Sequence, residues 1–201
     1  MAAGVARHPG VPAPGCLRLH ARITVSAVDS GWLAASRTDL AALRNPPVGV
    51  VRARDSGDNV TTTAGLSAFA AALVWSGIQD QAAALGVTTP QYLTPLYGAL
   101  GSGSGTAQAS DTALFFEIGR TTVGAGAASP ATSSINALCD FLFFFGPPPT
   151  AWTVTEAGAF AGATSSSGSG TLLDHYVLAS PVTVTSPDSA ILQIALSVAG
   201  S

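Results

Sequence analysis

Leu17-Arg18-Leu19-His20-Ala21-Arg22-Ile23-Thr24-Val25-Ser26-Ala27 alternates apolar and polar residues without a break. Successive side chains of an extended chain point to opposite faces, so this period of two predicts a half-buried β-strand with one wet face. Val48 to Arg54 resumes as a strand with Arg52 and Arg54 on one face. Further apolar segments stand at Ala113–Ile118, Ile135–Phe145, Trp152–Thr155, Leu172–Leu178 and Val182–Thr185. The last, Ile191–Val198, places Leu192, Ile194, Leu196 and Val198 on one side and carries no charge. Turn chemistry separates them at Asp55-Ser-Gly-Asp58, Gly124-Ala-Gly126, Gly146-Pro-Pro-Pro149, Thr164–Gly170 and Ser186-Pro187-Asp188. Many short strands at this spacing predict a mainly β fold, an antiparallel β-sandwich or a barrel-like domain.

One segment changes period. Leu66, Phe69, Ala70, Leu73 and Val74 fall at helical spacing, which predicts a short amphipathic helix at 63–75 with a threonine as its N-cap. Gln79–Leu85 adds a short second helix, while Trp32–Leu43 fits either a short helix or a loop, ended by Asn45-Pro46-Pro47. Gly101-Ser-Gly-Ser-Gly105 reads as a flexible loop. Residues 1–15 are rich in proline and glycine and read as an extended arm, about 50 Å long at roughly 3.3 Å per residue. The expected organisation is an arm at 1–15, arginine-bearing N-terminal strands at 16–57 and a main β-domain at 58–201.

Charged residues make up only 9% of the chain and hydrophobic ones 47%, where about 25% charged is usual. A lone domain needs charge to cover its surface. This composition therefore predicts a surface largely covered by partners, first of all copies of the same chain. All eight basic residues are arginine. Seven of them (7, 18, 22, 37, 44, 52, 54) lie in the first 60 residues beside four aspartates, a local net of +3; the rest of the chain carries Arg120 and seven acids, a net of −6. A basic arm on an acidic body and an ordinary strand pair with solvated arginines both fit that asymmetry. The dense basic patch with interleaved aromatics that nucleic-acid binding requires is missing, so no nucleic-acid partner is expected.

No apolar stretch reaches the roughly 18 residues of a spanning helix. The densest run, Phe141–Phe145, is strand-sized. The N-terminus lacks the apolar core of a signal peptide, which places synthesis and assembly in a cytoplasm. Cys16 and Cys139 are too few for a disulfide scaffold and fit no metal spacing, so both read as small buried hydrophobes.

Reactive side chains are sparse. His8 lies in the arm, His20 on the polar face of a strand, and His175 beside Asp174, whose side chain must point to the opposite face. Glu117 and Glu156 are the only glutamates, each at the end of an apolar segment. A carboxylate pair can run glycoside hydrolysis, but capping a turn or pairing with Arg120 is the simpler use. The serines of Gly101–Gly105 and Gly168–Gly170 lack the strand-turn-helix setting of a nucleophile. Asp55–Asp58 lacks the later ligands of a calcium loop, and Gly101–Thr106 lacks the lysine of a phosphate loop. No catalytic residue, metal ligand or cofactor site is expected. Trp32, Trp75 and Trp152 could stack sugars, with core packing as the simpler use.

Asn59-Val-Thr-Thr-Thr-Ala-Gly-Leu66, Ser110-Asp-Thr-Ala-Leu114 with Glu117-Ile-Gly-Arg120, Thr155-Glu-Ala-Gly-Ala-Phe160 and Gly170-Thr-Leu-Leu173 form four blocks that together resemble small structural proteins of tailed bacteriophages. Asn59-Val-Thr-Thr-Thr-Ala-Gly-Leu66 before a short helix is similar to their "N-x-V-T-x-x-G-L" opening. Tyr97–Thr106 followed by Ser110-Asp-Thr-Ala-Leu114 and Glu117-Ile-Gly-Arg120 resembles a glycine-rich turn before "D-T-x-L-x-x-E-x-x-R". Thr155-Glu-Ala-Gly-Ala-Phe160 resembles "T-E-x-G-L-F". Gly170-Thr-Leu-Leu173 with Ser180-Pro-Val-Thr183 and the terminal strand resembles the closing block. The likeness spans about residues 59–201. Asp174-His175-Tyr176 stands where Ala-Arg is usual, Thr185 where lysine is common, and residues 76–91 read as an insertion.

The resemblance implies a non-enzymatic β-sandwich protein of the virion, a minor tail or tail-tip/fibre-associated protein, assembled as an oligomer, often a trimer. Its partners would be itself and other virion proteins. A head decoration or capsid fibre protein is the alternative within that class. A carbohydrate- or receptor-binding β-module, with a host-surface glycan as partner, is the alternative outside it.

Overall fold

The computed structural model describes residues 17–77, 96–129 and 137–200, with side chains described over 20–72, 96–125 and 139–197. The arm at 1–15, His8, Cys16, the helix expected at Gln79–Leu85 and the side chain of Trp75 lie outside them. In chain order the elements are β1 (Leu17–Val28), α1 (Ser30–Ser36), α2 (Leu40–Arg44), β2 (Val51–Asp58), β3 (Val60–Thr61) and α3 (Thr63–Gly77), then β4 (Leu96–Gly101), β5 (Glu117–Ser129), β6 (Ala137–Phe145), β7 (Trp152–Ala161), β8 (Thr171–Val184) and β9 (Ser189–Gly200). The fold is mainly β, as the alternation predicts.

All nine strands join one antiparallel sheet in the order β2-β1-β9-β6-β5-β4-β7-β8-β3. β1 pairs with β9 along its whole length, from Leu17 opposite Gly200 to Val28 opposite Ser189. β9 pairs on its other side with β6, from Ala137 opposite Val198 to Phe145 opposite Ala190. The uncharged terminal strand is thus central, and its backbone is satisfied within the domain. The sheet turns its corner in β5, whose Glu117–Thr122 half pairs with β4 and whose Val123–Ser129 half pairs with β6 across a register shift. Such irregularities bend a strand and increase its twist. The far ends of the sheet then meet: the Asp55 carboxylate on β2 accepts hydrogen bonds from the Tyr176 hydroxyl at 2.6 Å and the Ala179 N–H at 3.0 Å, both on β8. The result is nearly a barrel. Its two edges are a strand carrying Arg52, Arg54, Asp55 and Asp58 and a strand of two residues. Charge and shortness both discourage further strand addition.

Several boundaries differ from the sequence expectation for one common reason: pairing partners override local turn chemistry. Asp55–Asp58 is strand, because it lies opposite Arg22–Val25 of β1. Gly124-Ala-Gly126 is inside β5, and Leu172–Leu178 and Val182–Val184 merge through Ser180-Pro181 into β8. Ala113–Phe116 is irregular, with strand beginning only at Glu117. The Trp32–Leu43 segment holds two short helices. Asp29 caps α1 by accepting from the Trp32 N–H at 2.8 Å, and Asp39 caps α2 through the Ala42 N–H at 3.0 Å.

Inside the barrel, Ile23, Val25, Phe143, Val154, Val184, Leu192 and Ile194 are completely or almost completely buried. Each large side chain of this kind contributes about 1.5–3 kcal/mol relative to exposure. α1 and α2 cover the opposite face of β1, β6 and β9, where Leu33 and Leu43 pack on Val28, Leu142 and Ile191. Arg44 of α2 also pairs with buried Asp140 of β6 at 2.8 Å.

α3 begins where expected. Thr62 is its N-cap, its hydroxyl accepting from the Gly65 N–H at 2.9 Å and donating to the Leu172 carbonyl. Ala68 and Phe69 pack on the barrel core while Leu66 stays 49% exposed, so the apolar residues are not confined to one face. Gly65 allows the close approach, because a Cβ there would lie 2.7 Å from Leu173 Cα. That obstacle and the Leu173 carbonyl beside it are backbone, so the helix itself must move. Gly65→Ala should cost about 1–3 kcal/mol, measured as a lower urea midpoint at unchanged m-value. An unchanged midpoint would contradict this docking.

Candidate functional site

The most polar buried constellation stands on the outer face of β7 and β8, under the segment 102–116. His175 on β8 has no solvent exposure. Its Nδ1 is 2.7 Å from Asp111 Oδ2 and its Nε2 is 3.0 Å from Glu156 Oε2. A carboxylate at each nitrogen favours the imidazolium form, in which both ring positions donate. Burial alone would lower its pKa, but Glu156 and Asp111 together hold it above the ordinary histidine value.

Glu156, equally buried, does more than pair with histidine. Its carboxylate accepts from the backbone N–H of Gly103 at 2.9 Å, Phe115 at 2.8 Å and Phe116 at 2.7 Å. Burial pushes the carboxyl up, yet His175 and these three amides outweigh it and hold the pKa below the usual glutamate value. The glycines of Gly101-Ser-Gly103 make the approach possible: a Cβ on either would come 2.5 Å from Glu156 Oε1. The expected flexible loop is therefore a backbone cradle fastened to a buried anion.

Glu117 does what its spacing from Arg120 suggests. The guanidinium donates from Nε and Nη2 to the two Glu117 oxygens at 2.8 and 2.7 Å. Arg120 Nη1 donates to the Ser169 carbonyl at 2.8 Å, and the guanidinium carbon lies 4.1 Å from the Phe160 ring centroid. The serine-rich stretch 164–170 is organised by that contact, with Ser169 Oγ accepting from the Thr164 N–H at 2.9 Å. Glu117 and Glu156 thus serve separate partners.

The remaining sequence candidates also have structural partners. His20 is 3.3 Å from Asp58 at an exposed strand pair. Arg52 bridges Asp29 and Asp188, Arg22 reaches Ser56, and Arg37 lies over Phe144. Trp32 and Trp152 are half-buried against the two largest apolar clusters, Trp152 edge-on to Phe145. Cys139 is a half-buried free thiol against the barrel core. Among the described residues no group of three or more His, Cys, Asp or Glu side chains is arranged to hold a metal ion, and no helix is long and apolar enough to cross a membrane.

As expected from their adjacency, Asp174 and His175 face apart. A bulge in β8, where Ala159 lies opposite Asp174 and Phe160 opposite Leu172, turns Leu173 and Asp174 both toward an apolar cavity in the barrel. The Asp174 side chain is 1% exposed, and burial raises its pKa from 3.8 to about 6, with Thr61 and Asn59 pulling it back. The folded protein therefore retains a proton that the unfolded chain releases near pH 4. This residue's contribution to stability is full below pH 4 and lost as pH rises through 6. Asp174→Asn removes the titration. Its stability relative to the unmodified chain should improve by roughly 1–3 kcal/mol between pH 4 and pH 7.5, read by urea unfolding at both; a difference that does not change with pH would contradict the assignment.

Sequence reading missed the Asp111–His175–Glu156 assembly, because its members lie 64 and 19 residues apart and meet only through the sheet order. The available signal was that both Glu156 and His175 sit within otherwise apolar runs, where a charge must find a partner. No protein-family model matches the chain, and no curated protein or solved structure matches it.

Proposed function

We propose that this chain is a non-enzymatic structural protein of a tailed-bacteriophage virion, a minor tail or tail-tip/fibre-associated subunit that acts by packing against copies of itself and other virion proteins. A head decoration or capsid fibre subunit is the alternative in the same class. The observation that carries the reading is the use made of the buried charges. Asp111, Glu156 and His175 fasten the segment 102–116, and that segment presents Phe115 and Phe116, 43% and 64% exposed, on its outer side. His175 lies under Phe115, the two rings tilted by 60° with centroids 4.9 Å apart. His175 and Glu156, with no exposed surface to offer a substrate, are spent together with the partly buried Asp111 on holding two aromatic side chains in water. Rigid exposed aromatics are suited to serve as anchors of a protein interface.

The sequence blocks that resemble phage proteins contain Asp111 and Glu156 of this brace, and Glu117, Arg120 and Phe160 of the neighbouring arginine cluster, while His175 is a departure from them. The sparse charge of the chain fits a surface that is covered in use. Cryo-electron microscopy of purified particles carrying a tagged copy of the chain tests the assignment. Density for the barrel at a repeated site on tail or head supports it, and particles that never contain the chain would refute it.

A further inference from the structure

The barrel interior holds a cavity of about 350 Å³ bounded by Phe69 of α3, Leu96, Phe141, Ala159, Ile194 and Leu196. Val123, 38% exposed, marks the side nearest solvent. Its wall is apolar except at one point, where the β8 bulge turns Asp174 toward it. Asp174 Oδ1 has no hydrogen-bond partner among the described residues, nor does either amide atom of the neighbouring Asn59. Asn59 and Thr61 flank the carboxylate without closing a well-formed bond on Oδ1.

A buried acceptor without a partner is costly and rare. Hydrophobic packing alone would have been served by a leucine or valine here. Dry apolar cavities of less than half this volume bind benzene, so this one accommodates an organic body of on the order of a dozen non-hydrogen atoms. Ligand sites commonly combine such a wall with very few placed polar groups.

We infer that the cavity is a binding site for a small apolar molecule bearing one protonated amine, the amine bonded to Asp174 Oδ1 and the apolar body lying between Phe69, Phe141, Ile194 and Leu196. A carboxylate selects a cation over an anion, and a single one selects a monoamine over a polyamine. At pH 7.5 Asp174, with its carboxyl raised to about 6, is mostly ionised and able to make that pairing. This site is independent of the packing surface at Phe115 and Phe116, which lies on the outer face of the barrel.

Isothermal titration of the full chain at pH 7.5 tests it with three probes of similar size: 4-phenylbutylamine, pentylbenzene and 5-phenylpentanoate. The amine should bind at least tenfold tighter than pentylbenzene, and the carboxylate should not bind. Asp174→Asn preserves shape and removes charge, so it should lose at least tenfold in amine affinity while pentylbenzene binding stays. Ala159→Leu, which fills the cavity, should abolish binding of both. Should it fail to fold, Leu196→Phe narrows the same space from β9. Equal affinity for amine and hydrocarbon, amine binding unaffected by Asp174→Asn, or no binding to the folded chain would each overturn the assignment.

Discussion

Glu156→Ala is expected to lower the unfolding free energy by about 3–5 kcal/mol, the range for removing one member of a buried charge pair. The loss has two parts. His175, with no exposed surface, would keep one carboxylate instead of two. The amides of Gly103, Phe115 and Phe116 would lose the anion that accepts from all three. Each buried donor left unsatisfied costs about 1–3 kcal/mol unless water replaces the partner. Glu156→Gln should cost less, because its carbonyl oxygen still accepts while its amide N–H₂ faces other donors. Urea unfolding at pH 7 gives both numbers. Equal, small losses for the two variants would mean that the cradle does not depend on charge.

The pH dependence of the same group follows from the directions of its pKa values. Glu156, held below its ordinary value, stabilises above the normal glutamate range and ceases to do so as pH falls through the folded value. His175, held above its ordinary value, stabilises at low and neutral pH and ceases to do so as pH rises through its folded value. The brace is therefore strongest in the window between the two.

Arg120→Ala is the second large effect, again about 3–5 kcal/mol. The Arg120 and Glu117 side chains are 2% and 8% exposed, so the carboxylate left behind remains out of water. The substitution also removes the contact to Ser169, which orders the β7–β8 connection, and the cation above Phe160. Lysine cannot replace the two-pronged donation or the stacking. Arg120→Lys should thus recover only part of the loss, and full recovery by lysine would show that charge alone matters at this position. Thermal unfolding of the three proteins distinguishes these outcomes.

Period-two alternation made β1 and β9 legible, because each presents one face to a single barrel interior and the other to a different environment. The helix at Thr63 was legible through its apolar spacing and its threonine cap. Turn signals misled at Asp55–Asp58 and at Gly124–Gly126. In both places the residues that usually mark turns serve instead to close or bend a barrel. Asp55 accepts from Tyr176 across the closing seam, and the glycines lie at the corner of β5 where pairing passes from β4 to β6. The glycines at 101–103 were legible as glycines but not as a cradle, since the carboxylate they admit comes from β7, 53 residues after Gly103. Asp174 was seen as the neighbour of His175 and correctly separated from it. Its place in a cavity depends on a bulge that no local pattern announces.

The proposed role requires the chain to associate through a rigid apolar surface. Size-exclusion chromatography with multi-angle light scattering, run over a wide concentration range, tests that most directly. A species at a multiple of 19.9 kDa is expected, with a trimer as the expected size, that Phe116→Ser shifts toward the monomer. A single 19.9-kDa species at the highest concentration, unchanged by Phe116→Ser, would contradict it.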